Sequence, residues 1–124
     1  MDEFKVLVCG GRDYDNRERL FGVLDKALRA ANLAGKTFVL VHGGARGADS
    51  LAGLWASMRQ DSVSVRVYKA DWDTHKKAAG PIRNNLMLTS ESPDIIIAFK
   101  GGNGTAHMMS IGRKAGVPVY EAKE

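Results

Sequence analysis

The stretch TFVLVHGGARGADSLAGLWASM, residues 37–58, decides the fold. Its opening run TFVLV (37–41) is apolar without polar alternation, which reads as a strand buried on both faces. Behind it, Ala48, Leu51, Ala52 and Trp55 recur at helical spacing and mark an amphipathic helix. Between the two lies HGGARGAD (42–49), where three glycines accompany Arg46 and Asp49 at a strand-to-helix junction.

Working outward, the same alternation repeats. Further apolar runs occur at KVLVC (5–9), SVRVY (64–68), DIIIAF (94–99) and VPVY (117–120). Helical stripes fall between them: Leu20, Leu24, Ala27, Leu28 and Ala31 form one, and Thr105, Met108, Met109 and Gly112 another. The segment IRNNLMLTSES after Pro81 predicts a shorter helix, with Pro81 at its first position and Pro93 beyond its end. Strands alternating with helices at this spacing predict a parallel sheet covered on both faces. With right-handed crossovers, the expected fold is a Rossmann-like three-layer α/β/α sandwich, a five-stranded parallel sheet in one domain over residues 1–124.

Composition narrows the class of function. Eighteen Lys and Arg against fourteen Asp and Glu give a formal charge of +4, a mild bias towards anionic partners. The basic residues are scattered, with HKK (75–77) the nearest to a cluster, which argues against a nucleic-acid-binding face. The one cysteine, Cys9, lies in an apolar run, so neither a disulfide framework nor a cysteine-rich zinc site is expected. Met1 leads directly into DEFKVLVCG, without a secretory h-region or an apolar span of membrane length. A cytoplasmic protein with no membrane partner is the expectation.

Open parallel sheets bind ligands beyond the carboxyl ends of their strands, near the point where strand order reverses. The loops expected there are GGRDYDN (10–16), GGARGAD (43–49), KADWDTHKKAAG (69–80) and KGGNGT (100–105). Three of these four carry a Gly-Gly pair. Bare backbone beside helix N-termini suits a phosphate or another oxyanion, and this reading takes Gly11, Gly43, Gly44, Gly47, Gly101, Gly102 and Gly104 as its cradle. Neither G-x-G-x-x-G nor the Walker A pattern occurs, so amides and arginines would hold the phosphate without a P-loop lysine.

The side chains around these loops extend the reading. Arg12, Arg46 and Arg83 are the candidate phosphate ligands, since a guanidinium can grip a phosphate with two nitrogens. Asp49 either serves the start of its helix or contacts ribose hydroxyls or a metal. Trp72 can stack on a base or pack as part of a lid. Asn84 either binds ligand or holds the glycine turns in shape, and Thr105 donates to phosphate, caps its helix, or both. Lys76 either approaches the phosphate or stays solvated, and the solvated side chain is the leading reading. His42, His75 and His107 lack metal-ligand spacing, so no metal is assigned; no cofactor is expected, and covalent catalysis has no motif to support it.

Taken together, GGRDY (10–14), HGGARGADSLA (42–52), DWDTHKKAAGPIRNNLM (71–87) and AFKGGNGTAHMM (98–109) resemble the small YspA/YAcAr-type members of the SLOG superfamily. The resemblance runs from about Val6 to Val119, and its most specific pieces are HGGARGAD and AGPIRNNLM. That superfamily also includes the LOG phosphoribohydrolases and the DprA recombination mediators. It implies a Rossmann-like fold that binds nucleotides or nucleotide-derived signals, as sensor or sequestering protein, with a part in phage–host conflict proposed for many members. It also implies a homo-oligomer. LOG enzymes carry P-G-G-x-G-T-x-x-E, whereas this chain has Lys100 for the proline and Met108 for the glutamate. A thioether cannot act as a general base or stabilise an oxocarbenium ion as a carboxylate does. Binding therefore leads; hydrolysis of a nucleotide, with Asp49 or Asp71 supplying the carboxylate, is the alternative, and DprA-like nucleic-acid binding the third.

Overall fold

The computed structural model describes residues 2–124. Five strands, β1 (Glu3–Cys9), β2 (Thr37–His42), β3 (Val63–Val67), β4 (Ile95–Ala98) and β5 (Val119–Glu121), form one sheet in the order β3-β2-β1-β4-β5. Every pairing is parallel, with Val6 opposite Leu40 on one side and opposite Ile95 on the other. The direction of winding reverses between β1 and β4, and there the loops that follow them touch: Gly11 N–H donates to the Lys100 carbonyl at 2.9 Å.

The unbroken apolar strands are explained by burial on both sides. From β1 and β2, Val6, Val8, Phe38 and Leu40 pack under α1 (Arg17–Leu33) and α2 (Ala48–Ser57). Their alternate neighbours Leu7, Cys9, Val39 and Val41 pack under α4 (Ala79–Glu91) and α5 (Asn103–Lys114). Each fully buried large apolar side chain contributes roughly 1.5–3 kcal/mol, so these two sets supply most of the drive to form the sandwich. Trp55 is fully buried yet keeps its indole N–H satisfied, donating to Asp25 Oδ1 at 2.9 Å and tying α2 to α1. Asn16 caps α1 by accepting the Arg19 N–H.

Three local expectations are corrected. The segment after β3 is not a plain loop: it holds the short helix α3 (Trp72–His75), capped by Asp71, and a 3₁₀ turn over Lys76–Ala78. That turn feeds directly into α4, which starts at Ala79, so Pro81 occupies the third helical position rather than the first. Its missing N–H is still harmless there, because the first four amides of a helix have no partner within it. Val117 and Pro118 precede the last strand instead of opening it.

Candidate functional site

A cavity of about 620 Å³ lies where the carboxyl ends of the strands meet the starts of α4 and α5. Its floor is Cys9 and Met87, and its wall includes Gly11, Arg12, Asp49, Trp72, Arg83, Asn84, Gly102, Gly104 and Thr105. Nine of the sequence-derived candidates are thus brought to one place. A second, smaller cavity of about 330 Å³ adjoins it, sharing Arg12, Ala45, Trp72 and Arg83, and there Gly43, Gly44 and Arg46 are found. Gly47 and Gly101 line neither of these two.

The glycines divide by what a side chain would meet. A Cβ on Gly43 would fall 2.1 Å from Arg83 Nη1, and one on Gly47, whose φ is +77°, 2.1 Å from the Gly11 carbonyl oxygen. Gly10, Gly11 and Gly101 are likewise closed in by neighbouring chain. These glycines let the protein approach itself. Gly102 and Gly104 differ: nothing lies within 4 Å of a Cβ on either. Gly102 is the cap residue of α5 and no side-chain capping bond is made there, so of the two roles weighed for Thr105, which sits at the third helical position, the capping one is not seen. The leading amides of α5 therefore face the cavity without a partner in the helix, at the positive end of its dipole.

Arg83 is held by neutral acceptors only. Its Nη1 donates to the Gly43 carbonyl at 2.8 Å and the Tyr68 carbonyl at 3.4 Å, and its Nε to Asn84 Oδ1 at 3.0 Å. Nη2 has no acceptor among the described residues, which leaves two oriented N–H donors for something else. Asn84, itself buried, passes its amide N–H groups to the Gly104 carbonyl and to His107 Nδ1, so it joins α4 to the first turn of α5. Accepting there requires His107 to carry its proton on Nε2. Arg12 lies over the Trp72 ring at 5.1 Å from its centroid, at the border of the two cavities.

Asp49, in the first turn of α2, makes no capping bond to its own helix. Its Oδ2 accepts the N–H groups of Gly43 and Ala45 and braces the glycine loop before it. Burial pushes its carboxyl above the usual range, against those hydrogen bonds and the Arg83 charge. Burial also pushes the Cys9 thiol up to about 12, so it is no thiolate nucleophile. His42 is buried and accepts the Gly44 N–H at Nδ1; burial, then Arg83, lowers its pKa. It is a satisfied structural histidine.

Charge separates this site from another hollow. A depression of about 660 Å³ on the outer side of the first loop carries Asp13, Asp15 and Glu124 against Arg12 and Lys100. The cavity at α5 sets Arg12, Lys77 and Arg83 against Asp49, whose Oδ2 is already taken by backbone donors. Only the second suits an oxyanion. Lys77 and His107 were missed by sequence reasoning. Lys77 sits beside Lys76 in a segment read as loop, where the turn decides which lysine faces in. His107 follows the cavity face of α5, while Met108 turns away into the apolar core.

The family model described as "YspA, cpYpsA-related SLOG family" (YAcAr) matches residues 4–75. The chain is 39% identical over 120 residues to the Gene 61 protein of Mycobacterium phage D29, covering 93% of each sequence. The X-ray structure of TM1055, a structural-genomics target, shares the fold with a TM-score of 0.65 at 20% identity, over 96% of this chain and 72% of that one.

Proposed function

From its membership of the YspA, cpYpsA-related SLOG family, to which this chain belongs, we propose that it binds a nucleotide or nucleotide-derived molecule. The observation that carries this reading is one juxtaposition. The uncapped start of α5, bared by Gly102 and Gly104, opens into the same 620 Å³ cavity as the unpartnered edge of Arg83. Amides and a guanidinium that converge without an acceptor are matched by phosphate oxygens. Trp72, 46% exposed, offers a ring for a base once Arg12 yields its place on it. Capture, as sensor or sequestering protein, suits a cavity lined by a single carboxylate, Asp49, whose Oδ2 is already taken by backbone donors.

Calorimetric titration with the four nucleoside 5′-monophosphates tests this. At least one binds, and Arg83→Ala weakens it by tenfold or more. If the folded protein takes up none of them, nor the matching 5′-diphosphates and 3′,5′-bisphosphates, the reading fails. A hydrolytic reading draws on Asp49, a buried carboxyl of raised pKa at the cavity wall. Asp71 is withdrawn from that role, since it caps α3 and lines neither cavity. Chromatography of nucleotides after long incubation decides between capture and cleavage: released base supports the second, unchanged substrate the first.

A further inference from the structure

The smaller cavity has a composition that a single phosphate site does not explain. Its lining includes Arg12, Arg46, Lys69 and Arg83 and no carboxylate. None of these four forms an ion pair among the described residues. Four other cations are paired, Lys5 and Arg66 with Glu3 and Glu91, Arg59 with Asp25 and Arg113 with Glu121, while the remaining Lys and Arg form no ion pair among the described residues and are spread along the chain. What sets Arg12, Arg46, Lys69 and Arg83 apart is that they gather, with no carboxylate among them, around one cavity of 330 Å³ in a chain whose formal charge is only +4. Like charges gathered in a concave site repel one another and favour a polyanion that neutralises them.

The placement is built rather than incidental. Gly44 turns the chain at φ +69°, and the stem of Lys69 lies across it, with Cγ 3.2 Å from where a Cβ would stand. Lys69 thereby joins Arg46 in the lining of the smaller cavity. Arg83 sits on the border and reaches both cavities, with Nη1 fixed on the Gly43 carbonyl between them.

We propose that the smaller cavity is a second phosphate subsite, so that the ligand carries two separate phosphates, one on each side of a ribose. This rests on the phosphate-binding reading of the larger cavity and specifies its ligand class: nucleoside 3′,5′-bisphosphates and short dinucleotides of the same spacing. One phosphate meets the α5 amides and Arg83, the nucleoside lies along Trp72, and the other phosphate meets Arg46 and Lys69.

The test compares nucleoside 5′-monophosphates, 5′-diphosphates and 3′,5′-bisphosphates of all four bases by calorimetry. The wild type binds a 3′,5′-bisphosphate at least tenfold tighter than the matching monophosphate. The 5′-diphosphate, which adds charge at one end only, gains less than threefold. The double variant Arg46→Ala/Lys69→Ala, at two exposed positions, keeps monophosphate affinity within twofold and lowers that of the bisphosphate to the monophosphate level. Lys69→Gln alone gives an intermediate loss and replaces the double variant if that one does not fold. Monophosphate binding with no advantage for the bisphosphate, or an equal loss of both in the variants, overturns the second subsite and leaves the first standing. No binding by any of the twelve compounds overturns both.

Discussion

Gly104 occupies the second position of α5 with open space where a side chain would be. Within a helix, glycine is less stable than alanine by roughly 0.5–1 kcal/mol. Nothing in the chain repays that cost, which is what a backbone kept bare for a ligand predicts. Gly104→Ala therefore raises stability by up to about 1 kcal/mol in denaturant unfolding and weakens nucleotide binding at least fivefold. Unchanged affinity would place the ligand away from this amide. Gly43→Ala acts by a different route: its methyl group takes the space of Arg83 Nη1 and drives the guanidinium off the Gly43 carbonyl. Binding falls at least tenfold, at a stability cost of only about 1 kcal/mol, because the displaced group is the end of a flexible side chain. Cys9, buried with its pKa pushed up to about 12, stays unmodified by iodoacetamide at pH 8 in the folded protein and reacts on unfolding.

At the scale of elements, the two ends of α4 do different work. Its start carries Arg83 and Asn84 to the cavity, while its last turn buries Glu91 against Tyr68, Arg66 and Lys5, fastening the helix to β1 and β3. Burial alone would raise the Glu91 carboxyl, but the hydrogen bonds from Tyr68 and Arg66 and the nearby positive charges outweigh it, and its pKa lies below the usual value. A lowered folded-state pKa means stability that is present above the unfolded value, about 4.3, and lost as pH falls through the folded one. Glu91→Gln accordingly costs about 2 kcal/mol at pH 7, and the variant loses less further stability than the wild type below pH 4.5; thermal unfolding across pH 2–7 reads both. Asp49 has the opposite sign: its raised pKa favours the folded state at acid pH and gives that contribution up as pH rises. The loop after β2 is locked by Gly47, where both a positive φ and the Gly11 carbonyl exclude a side chain.

For the whole molecule, strand and helix periodicity made the sandwich legible, because burial on both faces writes itself as unbroken apolar runs. The site was legible as a place more than as a set of roles. Glycine marks both a backbone that meets a ligand and a backbone that meets itself, and only packing separates Gly102 and Gly104 from Gly43 and Gly47. Asp49 is two residues into a helix in sequence but bonds backward to the loop, which spacing does not encode. The start of α4 was misplaced because proline is tolerated throughout the first turn, not at one position of it. Inward-facing Lys77 and His107 depend on the phase of a short turn and a helix, to which a pattern of apolar residues is blind. Among the described residues no helix is long and apolar enough to cross a membrane.

The most direct measurement is a ¹H–¹⁵N chemical-shift titration of the ¹⁵N-labelled protein with the four nucleoside 5′-monophosphates. The account predicts that the largest shifts fall on the backbone amides of Gly102, Asn103, Gly104 and Thr105, together with the Arg83 side-chain Nε–H, and that they saturate. Saturating shifts confined to the hollow around Asp13, Asp15 and Glu124, or no shifts at the start of α5, would contradict it.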